Sequence, residues 1–105
     1  MAERAGDRYA YSEALCGMAE AHFGSGRLDF ALEHFERAAT LAGEIESLYL
    51  KAKALNGIAE IVLHSRGADA ARICWREAYD IFAQIGVPEA EAVLIRMHTL
   101  DASAS

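Results

Sequence analysis

Apolar residues recur along this chain with the period of an α-helix, and the recurrence is interrupted at only a few places. From about Arg8 to Phe23 the stripe Tyr11, Leu15, Met18, Ala19 and His22 follows i, i+4, i+7, i+8, i+11, which is one face of a helix. Gly24-Ser25-Gly26 ends it, since glycine loses the most backbone freedom in a helix. A second helix is predicted from Leu28 or Asp29 to Ile45. Its stripe is Ala31, Leu32, Phe35, Ala38, Ala39, Ala42 and Ile45, and Asp29 lies near its start, where an acidic side chain suits the helix dipole. Neither Gly nor Pro marks the next boundary. The turn is placed at Glu46-Ser47, with Ser47 as N-cap, against the competing reading of one continuous helix. The third helix spans about Leu48 to His64 with Leu55, Ile58, Ala59 and Val62 inward, and Ser65-Arg66-Gly67 closes it. Asp69 opens a fourth, with Ala71, Cys74, Trp75, Ala78, Ile81, Phe82 and Ile85 inward. Gly86-Val87-Pro88 stops it with a glycine cap and a proline beyond. A fifth begins at Pro88 or Glu89 and carries Val93, Leu94, Met97 and Leu100, with Asp101 to Ser105 expected to fray.

Laid over itself with a shift of forty residues, the chain matches itself. Ala14-Leu15-Cys16-Gly17-Met18-Ala19-Glu20 returns as Ala54-Leu55-Asn56-Gly57-Ile58-Ala59-Glu60, five letters of seven being identical. Tyr9/Tyr49, Ser25/Ser65, Asp29/Asp69, Ala31/Ala71, Ala38/Ala78 and Ile45/Ile85 stay in register, and Phe35 falls on Trp75. Such periodicity is the sequence signature of a repeat architecture. The expectation is one all-α domain over residues 1–105: repeat 8–47, repeat 48–87 and a closing helix 88–100. Gly6 corresponds to Gly86 two periods on, so residues 1–7 read as the end of a preceding helix with Gly6 as its cap, and the chain as beginning inside a longer array.

Leu15, Met18, Ala19, Gly26, Ala31, Phe35 and Ala38 in the first unit, and Leu55, Ile58, Ala59, Gly67, Ala71, Trp75 and Ala78 in the second, resemble the signature of the tetratricopeptide repeat family. Small residues there let two helices approach closely, and the aromatic fills the space between hairpins. Leu stands where the family has a Trp at the start of the first helix, Ala19 and Ala59 stand where it has Gly, and the period is longer than the common 34 residues. The long period is similar to the repeats of kinesin light chain and of large bacterial transcriptional regulators. Ile85 to Glu91 also resembles the C-terminal end of antibiotic-pathway regulators of the SARP type. The resemblance implies an α-solenoid of two helical hairpins with a C-terminal capping helix.

Charge narrows the partners. The net charge is −6, which argues against direct nucleic-acid binding and suits a basic partner. No apolar run nears the roughly 18 residues of a membrane span, and no signal-peptide pattern opens the chain, so a cytoplasmic protein is expected. Cys16 and Cys74 have no metal-ligand or CxxC spacing and read as reduced thiols. His22, His34, His64 and His98 form no metal motif, and Gly24-Ser25-Gly26 lacks the setting of a phosphate loop. No cofactor, no metal and no enzymatic activity are expected.

In this family the first helices of the hairpins line a concave face that binds peptides or domains. By that register the partner-binding residues are Glu13, Cys16, Glu20 and Phe23 on the first helix, Lys53, Asn56, Glu60 and His64 on the third, and Arg96 on the fifth. Gly17 and Gly57 line the same face. The amide of Asn56 offers a donor and an acceptor to a peptide backbone. Glu13 and Glu20 speak against a clamp for carboxylate-ended peptides. The alternative function is homo-oligomerisation, with Tyr9 and Tyr11 at one end and Val93, Leu94 and Met97 at the other uncovered.

Overall fold

Local chemistry at four short junctions cuts the chain into five helices. The computed structural model describes residues 5–104, as α1 (Ala5–Gly24), α2 (Leu28–Glu44), α3 (Leu48–Arg66), α4 (Ala68–Ile85) and α5 (Glu89–Ala104). Gly26 closes α1 with φ +79°, and the Arg27 amide donates to the His22 carbonyl at 2.9 Å. After α2 the chain reverses at Glu46, whose φ of +57° makes it the one non-glycine residue in the left-handed region among those described. Ser47 then caps α3, its hydroxyl accepting from the Leu50 amide at 3.3 Å. Gly67 alone joins α3 to α4. Gly86, left-handed at φ +72°, ends α4 one residue before Val87-Pro88.

Each helix packs on the next, and α1 also meets α3. The result is flat, 55 × 32 × 17 Å along its principal axes. Two apolar clusters fill it. Leu15, Cys16 and Ala19 meet Ala31, Phe35 and Ala38 of α2 and Ala54 and Ile61 of α3. Ala52, Ala59 and Val62 on the other side of α3 meet Ala71, Trp75, Ala78 and Phe82 of α4 and Val93 and Met97 of α5. So α3 is covered on two sides, and Ile58 touches both clusters.

The forty-residue period holds in the packing as well as in the letters. From residue 31 to 49 and from 71 to 89 the buried, half-buried and exposed positions coincide one for one. Glu46 and Gly86, equivalent in this register, share the left-handed turn.

Several expectations change. Gly6 is helical in α1 and caps nothing; residues 1–4 lie outside the described residues. The end of α5 stays helical through Ala104. The buried face of α1 is Ser12, Leu15, Cys16 and Ala19, whereas Tyr11 and Met18 are each 48% exposed. The apolar spacing had turned the helix too far, because α1 is covered on one side only. Ser12 is fully buried and satisfied, its hydroxyl donating to the Ala38 carbonyl at 3.0 Å. Val93 and Met97 are buried, so they do not form an uncovered end; Ile95 is the exposed apolar residue of α5.

Candidate partner-binding face

Side chains of α3 reach α1 through His64 and Phe23, α5 through Glu60 and Arg96, and α4 through Asn56 and Trp75. The centre is Trp75. Its ring is fully buried, and its indole N–H donates to Oδ1 of Asn56 at 2.8 Å. The Arg96 guanidinium lies 5.2 Å from the Trp75 ring centroid. It also donates through Nε and Nη2 to the two carboxylate oxygens of Glu60, each at 3.0 Å. This fork joins α5 to α3, and a planar guanidinium that stacks and forks at once is a role lysine cannot fill. The hydrogen bonds that Arg96 donates to Glu60 raise its pKa, burial opposing and the Glu60 charge adding to the rise.

The α1 side of the face is different. Glu13 and Glu20 are exposed. They and Lys53 of α3 lie near enough to the Cys16 sulfur to act on its ionisation. Cys16 itself is fully buried and offers no surface to a partner; burial raises its thiol pKa, the lysine opposing. Small and apolar, it faces α2 and α3 with Leu15 rather than the groove. Phe23 is half-buried, with its ring 5.7 Å from that of the exposed His64, which ties the far ends of α1 and α3. Lys53, Asn56, Glu60 and Arg96 are half-buried.

Sequence reasoning put Cys16 on this face, where the structure buries it in the core, and it missed the pairing of Asn56, Glu60 and Arg96. Asn56 and Glu60 were read as free for a ligand, yet Asn56 already accepts from Trp75 and Glu60 holds Arg96. The register contains the signal: Arg96 is the equivalent of Asn56, one helical turn from Glu60, so a neighbouring helix brings it alongside. A second link of this kind joins Tyr49, whose hydroxyl donates to the Glu89 carboxylate forty residues on.

Among the described residues, no three His, Cys, Asp or Glu side chains are placed to hold a metal ion. No helix there is long and apolar enough to cross a membrane. Comparisons with protein-family models, with curated proteins and with solved structures give no match.

Proposed function

We propose that this chain is a helical-repeat interaction module of the tetratricopeptide type, binding a protein or peptide partner on the α1–α3–α5 face. The observation that supports this most is the coincidence of burial between residues 31–49 and 71–89, which matches the recurrence in sequence. Two hairpins, α1–α2 and α3–α4, then stack as a short solenoid with α5 as its cap. In such stacks the first helices line the surface on which partners lie. Arg96 is held by Glu60, so the charge left for a partner is that of the exposed Glu13 and Glu20, offset in part by the half-buried Lys53, with Phe23 and His64 as an aromatic edge. That chemistry fits a basic peptide segment. The long repeat period favours a place within a bacterial transcriptional regulator, acting through protein contacts in the cytoplasm, where free thiols such as Cys16 and Cys74 stay reduced.

The test is selection of peptides from a displayed random library against the whole chain. Enriched sequences rich in Lys and Arg, binding at least about tenfold more weakly to the Glu13→Gln/Glu20→Gln variant, support the reading. Enriched sequences indifferent to both substitutions contradict it.

A second reading is homo-oligomerisation through α5. It is favoured by Ile95, which is 58% exposed where the equivalent Leu15 is only 3% exposed. Light scattering over a concentration series decides it: a dimer abolished by Ile95→Glu supports this reading, and a monomer at all concentrations rejects it.

A further inference from the structure

The repeat writes a glutamate into equivalent seats on α1 and α3, and only one of the two is engaged. Glu60 of α3 accepts the Arg96 guanidinium of α5 as a fork, both nitrogen–oxygen distances being 3.0 Å. Moved back by forty residues, that pair becomes Glu20 of α1 and Asn56 of α3. Asn56 does not answer Glu20 as Arg96 answers Glu60. It carries no guanidinium, and its Oδ1 is already held by the Trp75 indole at 2.8 Å. Glu20 is exposed, and among the described residues no hydrogen bond or ion pair engages its carboxylate. It stands where its repeat equivalent holds an arginine.

We infer that Glu20 seats one arginine of the partner, whose guanidinium forks the carboxylate as Arg96 forks Glu60; this rests on the proposed binding of a basic segment to the α1–α3–α5 face. Charge selects the seat. The equivalent of Glu13 on α3 is Lys53, a cation of the chain's own, whereas the equivalent of Glu20 is Glu60. Glu13, Glu20 and Lys53 all act on the Cys16 sulfur, so one lysine stands among two carboxylates and negative charge is left over. Shape selects the side chain. Phe23 follows Glu20 by three residues, which puts the two on one side of α1. Its half-buried ring, beside that of His64, gives a planar guanidinium a surface to stack on. The seat differs from the one on α3 in this respect. Arg96 lies over Trp75, but the equivalent ring, Phe35, is covered by Gly57. A lysine ammonium would meet the charge of Glu20 without forking its two oxygens.

The probe is a peptide selected from a displayed random library against the whole chain and then synthesised with each arginine replaced in turn by lysine. One position should stand out, its lysine form binding at least about tenfold more weakly, as loss of an anchoring fork implies. Against a chain carrying Glu20→Gln, the same replacement should cost at most about twofold, because the two changes remove one contact. Against Glu13→Gln it should keep its full cost. Both glutamates are exposed, so neither variant should lose helical circular dichroism. Additive losses at Glu20, lysine tolerated at every position, or coupling to Glu13 instead overturns the inference while the peptide's amide footprint stays on the α1–α3–α5 face. Selected peptides without basic residues, or a footprint confined to the outer surfaces of α2 and α4, overturn the binding reading and this inference with it.

Discussion

The ring of Phe35 rests on Gly57, with three ring carbons where any side chain at that position would begin. Phe35 is only 3% exposed and enclosed by α1, α2 and α3, so the ring has no free volume to swing into. Gly57→Ala gains about 1 kcal/mol of helix propensity and meets an overpacking cost of about 1–3 kcal/mol. It should lower stability in urea unfolding. Gly17→Ala has the same propensity gain with nothing in its way, and should raise stability by about 0.5–1 kcal/mol. If both substitutions move stability in the same direction, the packing of α2 on α3 is not as described.

Glu46 supplies a second internal comparison. It holds φ +57° at the position where Gly86 holds φ +72°. A side chain in this region costs about 1–2 kcal/mol, against a smaller unfolded-state cost of introducing glycine. Glu46→Gly should therefore stabilise the chain by up to about 1 kcal/mol, read as a higher urea midpoint. Gly86→Ala should destabilise it by a comparable amount.

Trp75 is the largest fully buried side chain. Trp75→Ala should cost about 3–5 kcal/mol, followed by circular dichroism because this is the sole tryptophan. Trp75→Phe keeps most of the apolar volume but removes the donor to Asn56 and the better cation–π surface for Arg96. Its further cost over a perfect volume match should be about 1 kcal/mol.

The Tyr49–Glu89 link makes a directional prediction for pH. The hydrogen bond from Tyr49 holds the Glu89 carboxyl below its usual pKa, and the same bond raises the Tyr49 phenol. A carboxylate with a depressed folded-state pKa contributes stability above its unfolded value, near 4.3. That contribution fades as pH falls through the folded value. Tyr49→Phe should therefore flatten the acid side of the stability profile below about pH 4.5. An unchanged acid limb would mean the bond is absent in solution.

The thiols should differ in reactivity. Cys16 is fully buried, and burial raises its pKa, so little thiolate is presented to a reagent. Cys74 is half-buried beside a groove of about 470 Å³, although its pKa too is raised by burial. Mass spectrometry after brief alkylation should find Cys74 modified first and Cys16 only under unfolding conditions.

Much of this was legible in the chain itself, for physical reasons. Gly86 followed by Pro88 can only end a helix, and Ser47 announces an N-cap even with no glycine beside it. Helices α2 and α4 have one clear apolar face each, and Ala31, Phe35, Ala38, Ala71, Trp75 and Ala78 are all buried as their spacing predicted. Helix α1 was misread because periodicity reports which residues share a face, not how far that face is covered. Tyr11 and Met18 are apolar but point away from the one pair of helices that α1 meets, and Ser12 took the place expected of an apolar residue. On the candidate face the register assigned Asn56 and Glu60 to α3 and Arg96 to α5 without foreseeing that Glu60 and Arg96 join the two helices. Their mutual bonds depend on rotamers that no spacing encodes, so groups read as open to a ligand proved to be holding α5 to α3 and α4.

The most direct test of the proposed face is the footprint of a library-selected basic peptide on the full chain, mapped by backbone amide shifts. The account predicts perturbations along Glu13, Glu20, Lys53 and Asn56, reaching Arg96. Perturbations confined to the outer surfaces of α2 and α4, around Phe30 and Ile73, would contradict it.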